Sequence, residues 1–98
     1  MRVRFIRDGE IAEVSIIVAK DMDTGKPSMV FITPPSGFEE ECRALSNLIS
    51  HMLWRGVDPE DIVRHLRGIH TGWPKPYGAG PSALSIPDAV ALALAEAF

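Results

Sequence analysis

Apolar and polar positions alternate over the first third of the chain. Val3 and Phe5 are interleaved with Arg2 and Arg4, the period of two that sends side chains to opposite faces of a strand. Asp8-Gly9 follows at once, and both residue types tolerate the positive φ of a type I′ hairpin turn. A second run, Glu13 to Lys20, carries Val14, Ile16, Ile17 and Val18, β-branched residues that suit a pleated surface. After the turn-forming stretch Asp21 to Pro27, the segment Ser28 to Thr33 holds Val30, Phe31 and Ile32 and stops at Pro34-Pro35, because proline cannot donate to a ladder. The pattern predicts a three-stranded antiparallel β-meander over residues 1–33.

Past Pro35 the period changes. Ser36 with Glu39 three positions on reads as a capping box. Phe38, Cys42, Leu45, Leu48, Ile49 and Met52 then follow helical spacing. Glu39, Glu40 and Glu41 fall where the positive end of the helix dipole favours acids. Gly56 is placed to end this helix. Asp58-Pro59 starts another with an N-cap acid and an N1 proline, with Ile62, Val63 and Leu66 as its buried side and Gly68 closing it. Residues 68–84, rich in glycine, alanine and proline, read as a loop. Ser85 and Asp88 start a last helix over 85–98, in which Ile86, Val90, Leu94 and Phe98 recur every four residues. The fold class expected is α+β, a β-meander followed by two or three helices packed on one face. The helical pair spans 36–67 and the whole chain forms one domain.

Composition narrows the function more than the fold. A chain of 98 residues, 46% hydrophobic and 23% charged, is one domain with a modest core. A net charge of −3 argues against binding to duplex DNA, which needs a basic excess. No stretch approaches the ~20 apolar residues of a membrane span, and Arg2, Arg4 and Arg7 are not followed by the apolar run of a signal peptide. A cytoplasmic protein is expected.

The acidic total conceals a segment of opposite character. Arg64 to Tyr77 contains Arg64, Arg67 and Lys75, and no acid occurs between Asp61 and Asp88. Trp73 and Tyr77 are interleaved with the cations. Guanidinium groups grip phosphate in a forked geometry, and aromatic faces stack on bases. Glycines at 68 and 72 allow a ligand close to the backbone. The alternative is structural: Arg64 and Arg67 complement a helix C-terminus and Trp73 plugs a small core. Arg4, on one side of the first strand with Arg2, and Arg55, on a helix face with His51, are further candidates for an anion site. His51, His65 and His70 are the only imidazoles. Zinc needs three or four ligands at close spacing, and the chain has neither a His-x-x-x-His pair nor a second cysteine. Cys42 lies on an apolar stripe and reads as core; a nucleophilic pairing with a histidine requires the fold to bring them together. Paired carboxylates, a phosphate loop and a serine elbow are all lacking.

From Leu45 onward the order of residues resembles the TSCPD domain. The segments that carry the resemblance are Leu45-Ser46-Asn47-Leu48-Ile49-Ser50, Arg55-Gly56-Val57-Asp58-Pro59-Glu60-Asp61-Ile62-Val63, Leu66-Arg67-Gly68-Ile69 and Ser85-Ile86-Pro87-Asp88-Ala89-Val90-Ala91. With the preceding strand Val30-Phe31-Ile32-Thr33 it covers roughly residues 13–97. That family is named for a closing Thr-Ser-Cys-Pro-Asp motif. It occurs at the C-terminus of adenosylcobalamin-dependent ribonucleotide reductases and as small stand-alone proteins. Here the motif maps onto Leu84-Ser85-Ile86-Pro87-Asp88, so Ile86 replaces its cysteine. A second family cysteine corresponds to His70 or Thr71. The resemblance therefore implies no metal or thiol role for this chain and leaves Ser85, Pro87 and Asp88 as a helix cap. Reductase chemistry belongs to a separate large domain.

Together these features lead us to expect a non-catalytic domain without cofactor or metal that binds a nucleotide or other phosphate-bearing small molecule. Arg64, Arg67, His70, Trp73, Lys75 and Tyr77 would supply the contacts, with Arg55 and Arg4. A domain this small completes such a pocket most easily as a homo-oligomer. Two alternatives stay open: a sponge that sequesters a cyclic nucleotide signal in phage anti-defence, and a regulatory subunit that docks on a ribonucleotide reductase through its apolar last helix.

Overall fold

The Asp8-Gly9 turn organises the sheet. Both residues take positive φ, 50° and 79°, the type I′ signature. They join β1 (Arg2–Arg7) to β2 (Glu10–Lys20) with Arg7 opposite Glu10 and Val3 opposite Val14. Because the turn is only two residues long, pairing resumes at Glu10, three residues before the strand segment expected to start at Glu13. A tight turn across Asp21 to Lys26 leads into β3 (Pro27–Thr33), antiparallel to β2, with a register shift at Ala19/Lys20.

The computed structural model describes residues 1–70, 75–76 and 82–98. Within the stretch expected to be loop, Lys75–Pro76 form a two-residue strand, β4, which pairs with Phe5 and Ile6 of β1. The sheet order is β3-β2-β1-β4. Proline is tolerated in β4 because that strand stands at the edge.

Three helices follow: α1 (Glu39–Trp54), α2 (Pro59–Leu66) and α3 (Ile86–Glu96). α1 packs chiefly on β3, α3 on β2, and α2 on α3. The core lies between these helices and one face of the meander, where Val3, Phe5, Val14, Ile16 and Val30 meet Cys42, Ile49, Ile62, Ile86, Val90 and Leu94. The expected α+β arrangement, a meander with helices on one face, is the one observed. Among the described residues no helix is long and apolar enough to cross a membrane.

Local details differ from the expectation. Ser36 does not cap α1; its N-cap is Phe38, without a side-chain cap bond. Instead the Glu39 carboxylate, at the first helical position, accepts the Gly37 N–H at 3.0 Å, a local bond that is not a capping box. At the other end Gly56 has φ 85°. Its N–H donates to the Leu53 carbonyl and that of Val57 to the Met52 carbonyl, a Schellman closure. Leu48 is 59% exposed and Leu53 is buried in its place, because the stripe through Cys42 and Ile49 turns past Leu48. Phe98 lies beyond the end of α3 and is half-exposed.

Helix α3 is covered on most sides. Ala89, Val90, Ala91, Ala93 and Leu94 are all buried, so its broad apolar surface is filled by its own domain.

Candidate functional site

The cationic segment begins on α2. Asp58 caps this helix by accepting the Glu60 N–H at 3.0 Å, and Pro59 occupies N1. Ile62 turns inward, which leaves Arg64 exposed on the opposite side. The Arg64 guanidinium pairs with Asp61 one turn earlier, at 3.1 Å. Arg67 is the C-cap, and Gly68 follows with φ 81°, a conformation that favours glycine.

Immediately beyond, the chain is fastened to α3. One Asp88 oxygen accepts the Gly68 N–H at 2.7 Å and the other accepts the Leu84 N–H at 2.9 Å. The Ser85 hydroxyl donates to the Ile69 carbonyl at 2.6 Å and accepts the Asp88 N–H at 3.1 Å. Both side chains are buried, Asp88 to 4% exposure. Arg67 Nε approaches the same carboxylate at 3.8 Å. The end of α2 and the start of α3 thus form one cross-linked corner, with Arg64, Arg67 and His70 exposed around it.

Helix N-termini attract anions because their first N–H groups lack partners. At α3 that role is already taken by Ser85, with Asp88 neutralising the adjacent amides. An anionic ligand at this corner would have to be held by side chains.

The structure brings together only part of the expected set. Arg64, Arg67 and His70 belong to the corner. Arg55 is exposed at the C-cap of α1, separated from Arg64 by most of α2. Arg4 lies on the face of the sheet away from the helices and bonds Glu13 at 3.2 Å. The backbone of Lys75 pairs opposite Ile6. Trp73 and Tyr77 lie outside the described residues.

A family model of the TSCPD domain matches residues 1–98. The chain belongs to the TSCPD domain family. No curated protein and no solved structure matches it. The match takes in the whole meander, including the first strand, which the resemblance over roughly residues 13–97 left aside. In this TSCPD domain the closing motif fastens α2 to α3. Ser85 and Asp88 make the bonds, and Ile86, which the resemblance sets against the motif's cysteine, is buried in the core.

The one cysteine, Cys42, is also core. Burial pushes its thiol up to about 11, and the charges of Glu41 and Glu39 add to the effect. At neutral pH it is a protonated thiol, the opposite of an activated nucleophile. Among the described residues no group of three His, Cys, Asp or Glu side chains is placed to hold a metal ion.

The sequence did not single out Trp54. Its indole is 76% exposed and lies 6.0 Å from the His51 ring, centroid to centroid. The signal was available: a large apolar residue off the stripe of its own helix.

Proposed function

We propose that this TSCPD domain is a non-catalytic module that binds a nucleotide or another phosphate-bearing small molecule at the α2–α3 corner. The observation that carries the reading is the grouping of Arg64, Arg67 and His70 within seven residues, all exposed, around a junction fixed by buried Ser85 and Asp88. Exposed ion pairs such as Arg64–Asp61 are worth about 0–1 kcal/mol, so phosphate can displace Asp61 at little cost. Forked guanidinium contacts to phosphate are stronger than the pairs they replace. A rigid corner also limits the ordering entropy that binding must offset.

Thermal unfolding in the presence of nucleoside mono-, di- and triphosphates and of cyclic nucleotides tests this. At a ligand concentration 100 times Kd the stabilisation is about 2.7 kcal/mol, a rise in Tm of roughly 10–20 °C for a domain of this size. The double substitution Arg64→Ala, Arg67→Ala should abolish the rise while leaving the unliganded Tm nearly unchanged. No shift with any of these compounds at millimolar concentration overturns the reading, and a shift confined to cyclic nucleotides would favour the sponge.

A second reading concerns the sheet. Its outer face carries Ile17 opposite Phe31, with Met29 two residues along β3 and Ile11 farther along β2 toward the Asp8-Gly9 turn, and all four are at least 44% exposed. This suits pairing with a second copy of the chain, with Arg4 and Glu13 on the same face. Light scattering should then give a dimer for the native chain and a monomer for Phe31→Glu. A native chain that is monomeric at high concentration excludes this interface.

A further inference from the structure

The cleft beside Trp54 lies at the other end of α2 from the cationic corner. It occupies about 660 Å³ between the β2–β3 turn, the α1–α2 junction and Phe98. That volume falls within the range of ligand-binding clefts. Its lining combines two exposed aromatic residues, Trp54 and Phe98, with Asp21, Asp58 and Glu60 against the single cation Lys26.

Two of these carboxylates are fixed in place. Asp21 accepts the N–H groups of Asp23 and Thr24 at 2.8 and 3.0 Å. Those bonds, the one from Thr24 first, lower its carboxyl pKa from the ordinary value and favour the charged form. Asp58 is held by its cap bond to Glu60. Neither bond uses up a carboxylate, which offers about four acceptor positions. Among the described residues no ion pair engages Asp21, Asp58 or Glu60.

We propose that this cleft receives an arginine side chain from an extended segment of a partner protein. Guanidinium is the cation that satisfies both components of the lining. Its flat face stacks on indole, and its edge presents paired N–H donors to carboxylates. A lysine ammonium is more strongly hydrated and lacks the fork. Electrostatic complementarity is met by the excess of three acids over one base. An indole left mostly in water gains from being covered.

The test uses the full chain and a blocked peptide, acetyl-Gly-Arg-Gly-amide, followed by ¹H–¹⁵N NMR. The indole N–H of Trp54, identified with Trp54→Phe, and the backbone amides of residues 57–60 should shift together and saturate. Asp58→Asn and Glu60→Gln together should weaken binding roughly tenfold or more. Asparagine caps a helix as well as aspartate does, so this variant keeps its fold. The lysine counterpart of the peptide should bind several-fold more weakly. Absence of saturable shifts at tens of millimolar peptide, equal binding of the lysine peptide, or unchanged binding by the charge variant would each overturn the proposal. Free arginine binding as tightly as the blocked peptide would also overturn it, by showing a metabolite site instead.

Discussion

Asp88→Asn is expected to cost about 2–4 kcal/mol of folding stability. Asp88 is 4% exposed, and each of its oxygens accepts a backbone N–H, one from Gly68 and one from Leu84. An amide of the same shape has only one oxygen. Its NH₂ group would face whichever backbone N–H remained, so one bond loses its charge assistance and the other becomes two donors in contact. Charge-assisted bonds of this kind are worth about 1.5–3 kcal/mol, and a buried donor left without an acceptor costs about 1–3 kcal/mol. The Arg67 contact adds little, because at 3.8 Å and with 58% side-chain exposure it is well screened. Set against a total stability of about 5–15 kcal/mol, the loss corresponds to a fall in Tm of roughly 10–25 °C. Urea unfolding monitored by circular dichroism measures it. Asp88→Ala should be at least as damaging, whereas Arg67→Ala should change stability by less than about 1 kcal/mol. Asparagine within about 0.5 kcal/mol of the native chain would mean that the corner does not depend on this carboxylate.

The same motif shows why some features of this domain were legible in sequence and others were not. Ser85 and Asp88 could be read as a helix start because capping is local: the hydroxyl and the amide it accepts are three residues apart. That Asp88 also reaches Gly68 is a contact across 20 positions, and spacing within a helix carries no information about it. The Asp8-Gly9 turn and the Gly56 closure were legible for the same reason, since the first depends on the access of two adjacent residues, and the second of one, to positive φ. Ser36 misled because a Ser-x-x-Glu pattern requires the backbone to turn at the serine, and here the chain turns two residues later, at Phe38. The cationic group shows the limit most directly. Arg64, Arg67 and His70 are neighbours in sequence and stay so in the fold. Arg4 and Arg55 were added on chemistry alone, and strand parity and helix length place them elsewhere.

The double substitution Ser46→Ala, Ser50→Ala should destabilise the domain by about 2–4 kcal/mol and expose a sheet edge. β3 is the outer strand of the sheet on the side away from β4. At Val30 its N–H and C=O turn away from β2 and meet α1 instead. Ser46 Oγ donates to the Val30 carbonyl at 2.5 Å, and Ser50 Oγ accepts the Val30 N–H at 3.0 Å. The two serines are four residues apart, on one face of the helix, so a single turn of α1 satisfies both groups. Val30 is 1% exposed, and water cannot readily replace the hydroxyls. Alanine at both positions leaves a donor and an acceptor without partners under the helix. Ser50→Ala alone should cost about 1–2 kcal/mol, and the two losses should not add simply, because both hydroxyls contact the same residue. The second consequence is kinetic. An unpaired strand edge templates pairing with other chains, so the double variant should aggregate during thermal unfolding at concentrations where the native chain refolds. Chemical denaturation and light scattering on heating measure the two effects. If the double variant matched the native chain in both, the serines would be incidental and apolar contact alone would seat α1 on β3.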